Sequence, residues 1–182
     1  NECYHCPSAH PGLTDLYGRS YEEGPWINGT HRIRGPFNEK PSRRELNKNY
    51  RDLVSQHPEP FNSMPHAWLY IGIFPVSVLV FYPESAGFYR SIPIDVQTSV
   101  MTGATYHYEG ESDSMRLARD QSALIDGEVM IEDKHVCELH YQAINSKYWE
   151  KGLLGDSEKA LREHHDMLRE LIPELNQEAS IK

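Results

Sequence analysis

The sequence is poor in cysteine, with three in 182 residues. Two of these stand close together near residue 1, which makes no disulfide framework and sets the expectation of a reducing cytoplasm. The sequon Asn28-Gly29-Thr30 then carries no meaning, since it matters only in a secreted chain. A long apolar run is also lacking. The richest stretch, WLYIGIFPVSVLVFY, is broken by Pro75 and is too short to span a bilayer. Positive charge is in deficit: 18 Lys and Arg against 27 Asp and Glu leave a net charge of -9. That balance argues against nucleic acid or an anionic membrane as a partner. No internal repeat and no signal peptide is visible. Residue 1 falls inside what reads as a motif, without a starting Met, so the chain is expected to be a fragment of something longer. What remains is a chain long enough for one domain with a core of its own.

Along the chain, residues 1–18 read as a short helix disturbed by Pro7 and Pro11. Residues 19–65 read as a long excursion, with a short strand at INGTHRIR and a helix at SRRELNKNYRDLVSQ. The character then changes. AWLYIGIF, VSVLVFYP, GFYRSIPI and TSVMTGATYHYEG are rich in β-branched and aromatic residues, and Pro83-Glu84-Ser85-Ala86-Gly87 punctuates them as a turn. This predicts an antiparallel meander. After Gly110 the period becomes helical. Asp113 or Ser114 is placed to cap a long helix, bent near Gly127, with Leu117, Leu124, Ile131 and Leu139 near heptad spacing as its apolar stripe. A last helix starts at about Asp156, with Leu161, Leu168, Leu171 and Ile172 on its apolar face, and ends at Pro173. Strands followed by long helices describe an α+β domain with helix packed on sheet.

The opening NECYHCPSAHP concentrates metal-binding chemistry. Two imidazoles and one carboxylate on one side of an ion suit divalent iron and leave positions open for oxygen and substrate. His5 and His10 can be the two imidazoles. They stand about 140° apart on a regular helix, so a distorted helix is needed, and the two prolines supply a reason for one. A structural zinc site from Cys3, Cys6, His5 and His10 is disfavoured, because ligands this close cannot easily surround a tetrahedral ion. A bare H-x4-H by itself is more often a surface terminus with no role. Cys6 and Cys137 read as small core cysteines rather than nucleophiles. His135 with His140, and His164 with His165, read as helix surface.

ECYHCPSAHPGL resembles the iron-binding segment of Rieske non-haem iron oxygenase large (alpha) subunits. That pattern is an acidic residue, two residues, His, four residues and His, often followed by Pro; here it is Glu2, His5, His10 and Pro11. EVMIEDKHVCELHYQAINSKYWEKGLLG is similar to the family's last motif, through Glu132-Asp133, Cys137-Glu138, Ser146 and Gly152. The chain departs from the pattern at Tyr141, where the family has Gln. Two motifs in the right order are far more specific than either alone.

The resemblance implies a helix-grip (START/Bet v 1-like) fold, an antiparallel sheet packed around a long C-terminal helix. It implies one mononuclear Fe(II) held by His5, His10 and Asp133, with Glu132 as the nearest rival ligand. It implies that Glu2 bridges to the redox centre of a neighbouring subunit in a homo-trimer. It further implies a [2Fe-2S] Rieske cluster in a domain upstream of residue 1, fed from NAD(P)H by a reductase or ferredoxin. Residues 1–182 would then be an incomplete catalytic domain and 19–65 an insertion within it. The reaction expected is O2-dependent hydroxylation or oxidative demethylation of a small organic molecule, aromatic or quaternary-amine-like. Two other classes stay open: a metal-free helix-grip module that binds a small ligand, and a zinc hydrolase using the same histidines. Among Trp68, Tyr70, Phe74, Phe81, Tyr82, Tyr106 and Tyr108, some are expected to line a pocket between sheet and long helix.

Overall fold

A computed structural model of the chain describes residues 6–18, 21–56, 67–149, 152 and 154–176. Two short helices open it, α1 (Cys6–Ala9) and α2 (Pro11–Tyr17). Strands β1 (Glu22–Glu23) and β2 (Thr30–Pro36) follow, then helix α3 (Glu45–Ser55). Next come β3 (Ala67–Ile73), β4 (Ser77–Phe81), β5 (Ala86–Pro93) and β6 (Ser99–Tyr106). The long helix α4 (Asp113–Ile144) and helix α5 (Lys159–Leu171) complete the order. The six strands form one antiparallel sheet in chain order, β1 to β6. Connections this short leave each strand beside its sequence neighbour, as a meander requires. The fold is therefore α+β, as the resemblance implies.

One face of the sheet carries the core. Ile33 pairs with Tyr70, Tyr70 with Val80, and Val80 with Gly87. Large side chains on this face stand opposite glycines. Gly35 pairs with Trp68, and a Cβ at Gly35 would come within 2.2 Å of the indole. Gly103 pairs with Tyr89, with 2.9 Å between such a Cβ and the ring. These glycines make room for rings that a flat row of β-branched residues would exclude.

Helix α4 runs unbroken through Gly127. Its cap is Ser112, whose hydroxyl accepts from the Met115 amide at 3.2 Å, not the expected Asp113 or Ser114. Asp113 instead supplies negative charge in the first turn, where the helix dipole favours it. The expected apolar stripe is also displaced. Leu124 and Ile131 are 62% and 73% exposed, and Leu117 and Leu139 are exposed as well. The buried stripe is Met115, Ala118, Ser122 and Ile125. Two of its members, Ala118 and Ser122, are small, and α4 makes its closest backbone approach to α3. In the last helix Leu171 and Ile172 are exposed too, and its buried residue is Ala160. Cys137 is exposed rather than a core cysteine.

Candidate functional site

Pro11 decides where His10 sits. Without an N–H it cannot continue α1, which stops at Ala9, and it is well suited to open α2. His10 is left between the two helices as the N-cap residue of α2, with φ -119° and ψ 81°, outside the helical region that a following proline disfavours. Its carbonyl still accepts the first helical bond, from the Thr14 amide at 3.0 Å. The imidazole is 1% exposed. It meets α4 at two adjacent acids. Nδ1 lies 2.7 Å from Glu132 Oε2, and Nε2 lies 3.0 Å from Asp133 Oδ1. The structure thus brings together two residues picked from opposite ends of the sequence, His10 and Asp133. His5 and Glu2 lie outside the described residues.

This donor set fits a divalent cation. Imidazole nitrogen and carboxylate oxygen suit ferrous iron. Two ligands at right angles around an ion about 2.1 Å from each stand about 3.0 Å apart, the separation of Nε2 from Asp133 Oδ1. Glu132 occupies the other ring nitrogen, where a carboxylate fixes tautomer and orientation. The nearest rival ligand is thereby given a different task.

Asp15, which the motifs did not single out, holds α2 in place. Its carboxylate accepts from the backbone amides of Arg43 at 2.8 Å and Arg44 at 3.2 Å, capping α3 from a distance. Asn47 of α3 adds bonds to the same carboxylate and to the Gly12 carbonyl, both 2.9 Å. Burial pushes the Asp15 carboxyl up, but the bonds from Arg43, Asn47 and Arg44 outweigh it and hold its pKa below the usual range. Arg44 also clasps Glu128 of α4 through two contacts at 2.8 and 2.7 Å. Helices α2, α3 and α4 are therefore tied together around His10.

A small cavity of about 40 Å³ opens beside this centre. Leu13, one turn beyond His10, lines it, as does Val129, one turn before Asp133. Tyr17, Trp68, Tyr70 and Tyr82 supply its aromatic walls. Of the aromatics expected near a pocket, Trp68, Tyr70 and Tyr82 are there. Phe74 packs elsewhere, on His164, while Tyr106 and Tyr108 are exposed. His164 is thus half-buried rather than fully solvent-facing: it sits 5.5 Å from the Trp26 ring and 5.3 Å from Phe74.

Two enclosed acids escaped sequence reasoning, Asp126 in this wall and Glu84 bonded to Tyr50 of the same wall. Glu84 is 1% exposed, although it lies in a segment that reads as a solvent-facing turn. Burial pushes its pKa up, against hydrogen bonds from Tyr50, Ser122 and Ser85. The Tyr50 hydroxyl donates to it at 2.7 Å. Asp126 lines the cavity and accepts from the Tyr82 hydroxyl at 3.4 Å. Burial first, and the Glu84 charge second, push its pKa to about 7. A signal for Asp126 was present: it stands two helical turns before Asp133, so an inward Asp133 implies an inward Asp126.

Residues 1–174 match the family described as the ring hydroxylating alpha subunit, catalytic domain. No curated protein sequence matches the chain. Among the solved structures that share its fold are two of related description. One is a quaternary ammonium Rieske monooxygenase, CntA, bound to an inhibitor: TM-score 0.56 and 16% identity, over 81% of this chain and 36% of that one. The other is a quaternary ammonium Rieske monooxygenase described in terms of carnitine oxidation and inter-subunit electron transfer. It gives a TM-score of 0.66 at 15% identity, over 93% of this chain and 44% of that one. The chain therefore spans less than half the length of either.

Proposed function

Because this chain belongs to the ring-hydroxylating alpha subunit family, through its catalytic domain, we propose that it is the mononuclear-iron part of a Rieske-type oxygenase. Its reaction is O2-dependent hydroxylation or oxidative demethylation of a small organic molecule, aromatic or quaternary-amine-like. The observation that carries this reading is the contact of His10 Nε2 with Asp133 at 3.0 Å, beside an aromatic cavity.

The iron is held by His5, His10 and Asp133. When bound, it supplies the oxygen chemistry that side chains lack. The chain's own residues do the rest. Glu132 holds the His10 ring through Nδ1, so that Nε2 is the nitrogen presented to the metal. The Asp133 carboxylate offsets part of the dication's charge. Leu13, Val129 and the tyrosine and tryptophan rings keep water from the space where substrate lies.

Electrons come from a [2Fe-2S] Rieske cluster in another part of the whole protein, charged from NAD(P)H by a reductase or ferredoxin. Glu2 would bridge, by hydrogen bonds, an iron-ligand histidine and a cluster-ligand histidine of a neighbouring subunit in a homo-trimer, and the protein works in the cytoplasm. The cluster, its electron supply, the Glu2 bridge and the trimer rest on family membership and the opening motif; the compartment rests on the scarcity of cysteine.

The test is metal content after anaerobic reconstitution with Fe(II). About one equivalent of iron is expected, and His5→Ala and Asp133→Ala should each abolish it. Normal iron in either variant removes that residue from the site. Tight zinc with hydrolytic activity would replace the reading with the hydrolase, and no metal at all would leave a ligand-binding module. The chain alone, given a reductase but no Rieske domain, should not turn over. Steady turnover would refute the electron route.

A further inference from the structure

Two cavities meet at one wall. The inner cavity, already described, lies between α2, β3 and α4. The outer one, about 170 Å³, lies between the β4–β6 side of the sheet and the first half of α4, past His107 and Arg119. Tyr82, Ser122 and Asp126 line both. Asp126 is therefore placed where anything that reaches the inner cavity from this side must pass or rest.

Its surroundings leave the carboxylate without a matching cation. The hydrogen bond from Tyr82 is long, at 3.4 Å, and the Tyr82 hydroxyl is shared with Tyr70 at 2.7 Å. Arg119 lines the outer cavity but is committed to Glu111. The neighbouring acid, Glu84, adds to the negative potential, as the upward displacement of the Asp126 pKa reflects. A carboxylate enclosed by rings is costly unless a cation joins it. The rings themselves are suited to one. Tyr17, Trp68, Tyr70 and Tyr82 line the same space, with Trp68 and Tyr70 centroids 4.5 Å apart and Tyr70 and Tyr82 centroids 6.2 Å apart. Aromatic faces attract alkylammonium groups and gain most where water is excluded. A neutral hydrocarbon substrate would leave the acid unpaired.

We propose that Asp126 determines specificity: it selects a small substrate with one positively charged nitrogen, pairing with the charge while the Tyr17, Trp68, Tyr70 and Tyr82 rings take the N-alkyl groups. The inference rests on the oxygenase reading for its chemistry but not for its binding. Asp126 stands two helical turns from Asp133, about 10 Å along the axis, so it touches substrate and not the metal.

The experiment compares choline with its neutral isostere 3,3-dimethyl-1-butanol on the metal-free protein. Binding is followed by titration calorimetry and by quenching of tryptophan fluorescence. Choline should bind saturably and at least about tenfold more tightly than the alcohol, a difference of about 1.4 kcal/mol. Asp126→Asn, which keeps the shape, should bring the two within about threefold, and Asp126→Glu should keep the preference. Equal binding of the pair, no saturable choline binding, or an unchanged preference in Asp126→Asn would each overturn the proposal. Iron content is read separately. Iron without cation preference sinks this inference alone, and cation preference without iron sinks the oxygenase reading alone.

Discussion

Asp126 carries a cost for this fold that can be measured apart from any ligand. Its pKa rises from 3.8 to about 7, so the folded state holds a proton that the unfolded chain has already released. The sign follows: stability falls as pH rises across that interval, and the full penalty, at most about 4 kcal/mol, is present above it. Asp126→Asn should raise the melting temperature at pH 8 and do little at pH 4. Thermal denaturation at the two values checks this, and an equal change at both would show that the carboxylate is not enclosed as described. Glu84 is held in the same way by burial, but with Tyr50 as a close donor. Neither acid could be picked out from composition. An acidic residue in a helix or a turn is usually solvated, and only the packing of α4 and α3 over the sheet makes these two internal.

Elements were legible where pattern and local chemistry agreed. The four apolar runs became β3 to β6, because β-branched and aromatic residues suit a pleated, half-buried surface. The helix after Gly110 was legible too, but its inward face was not. A row of large apolar residues at heptad spacing is expected to face inward, whereas this helix packs most closely on α3 and two of its four buried positions are small. Ala118 and Ser122 win the buried positions by size. The clamp between α2 and α3 was also hidden, since Asp15 caps a helix that begins beyond a loop. Asp15→Ala should cost about 1–3 kcal/mol, the range for leaving buried donors unpaired. The wild-type margin over that variant should shrink as pH falls below 3.8 through the depressed Asp15 pKa, because protonation removes the same acceptor. Urea denaturation at pH 7 and pH 3 checks both statements. Gly35→Ala tests the sheet. Its Cβ would meet the Trp68 indole at 2.2 Å, so the ring must leave the cavity wall. A loss of about 1–3 kcal/mol is expected from such overpacking, with a shifted tryptophan emission spectrum; unchanged stability and emission would contradict the packing.

At the scale of the molecule, α5 docks on the sheet through one tryptophan. Trp26 Nε1 donates to the Ala160 carbonyl at 2.9 Å, and its backbone amide donates to Glu163 at 3.2 Å. The ring stacks on His31 at 5.2 Å and leans on His164 at 5.5 Å. Burial lowers the pKa of His31, against the nearby Glu23 and Glu163 charges, which raise it. Burial, then the His165 charge, lower that of His164. Both imidazoles are thus kept neutral by the fold. Stability contributed by this cluster is present above their ordinary pKa of 6.5 and is lost as pH falls from there through the depressed values. Hydrogen exchange should show α5 amides opening faster at pH 5.5 than at pH 7.5. Equal protection of α5 at both values would separate its docking from these histidines.

The sequence by itself determined the run of strands β3 to β6 and the long helix after them, and its motifs, through the family they resemble, pointed to His10 and Asp133 as partners. Those depend on local spacing, proline placement and motif chemistry, which are written in neighbouring residues. Only the tertiary structure decided which face of α4 turns inward, and so that Asp126 lines the cavity. That choice depends on the volumes of side chains meeting from different strands and helices, and no single segment contains them.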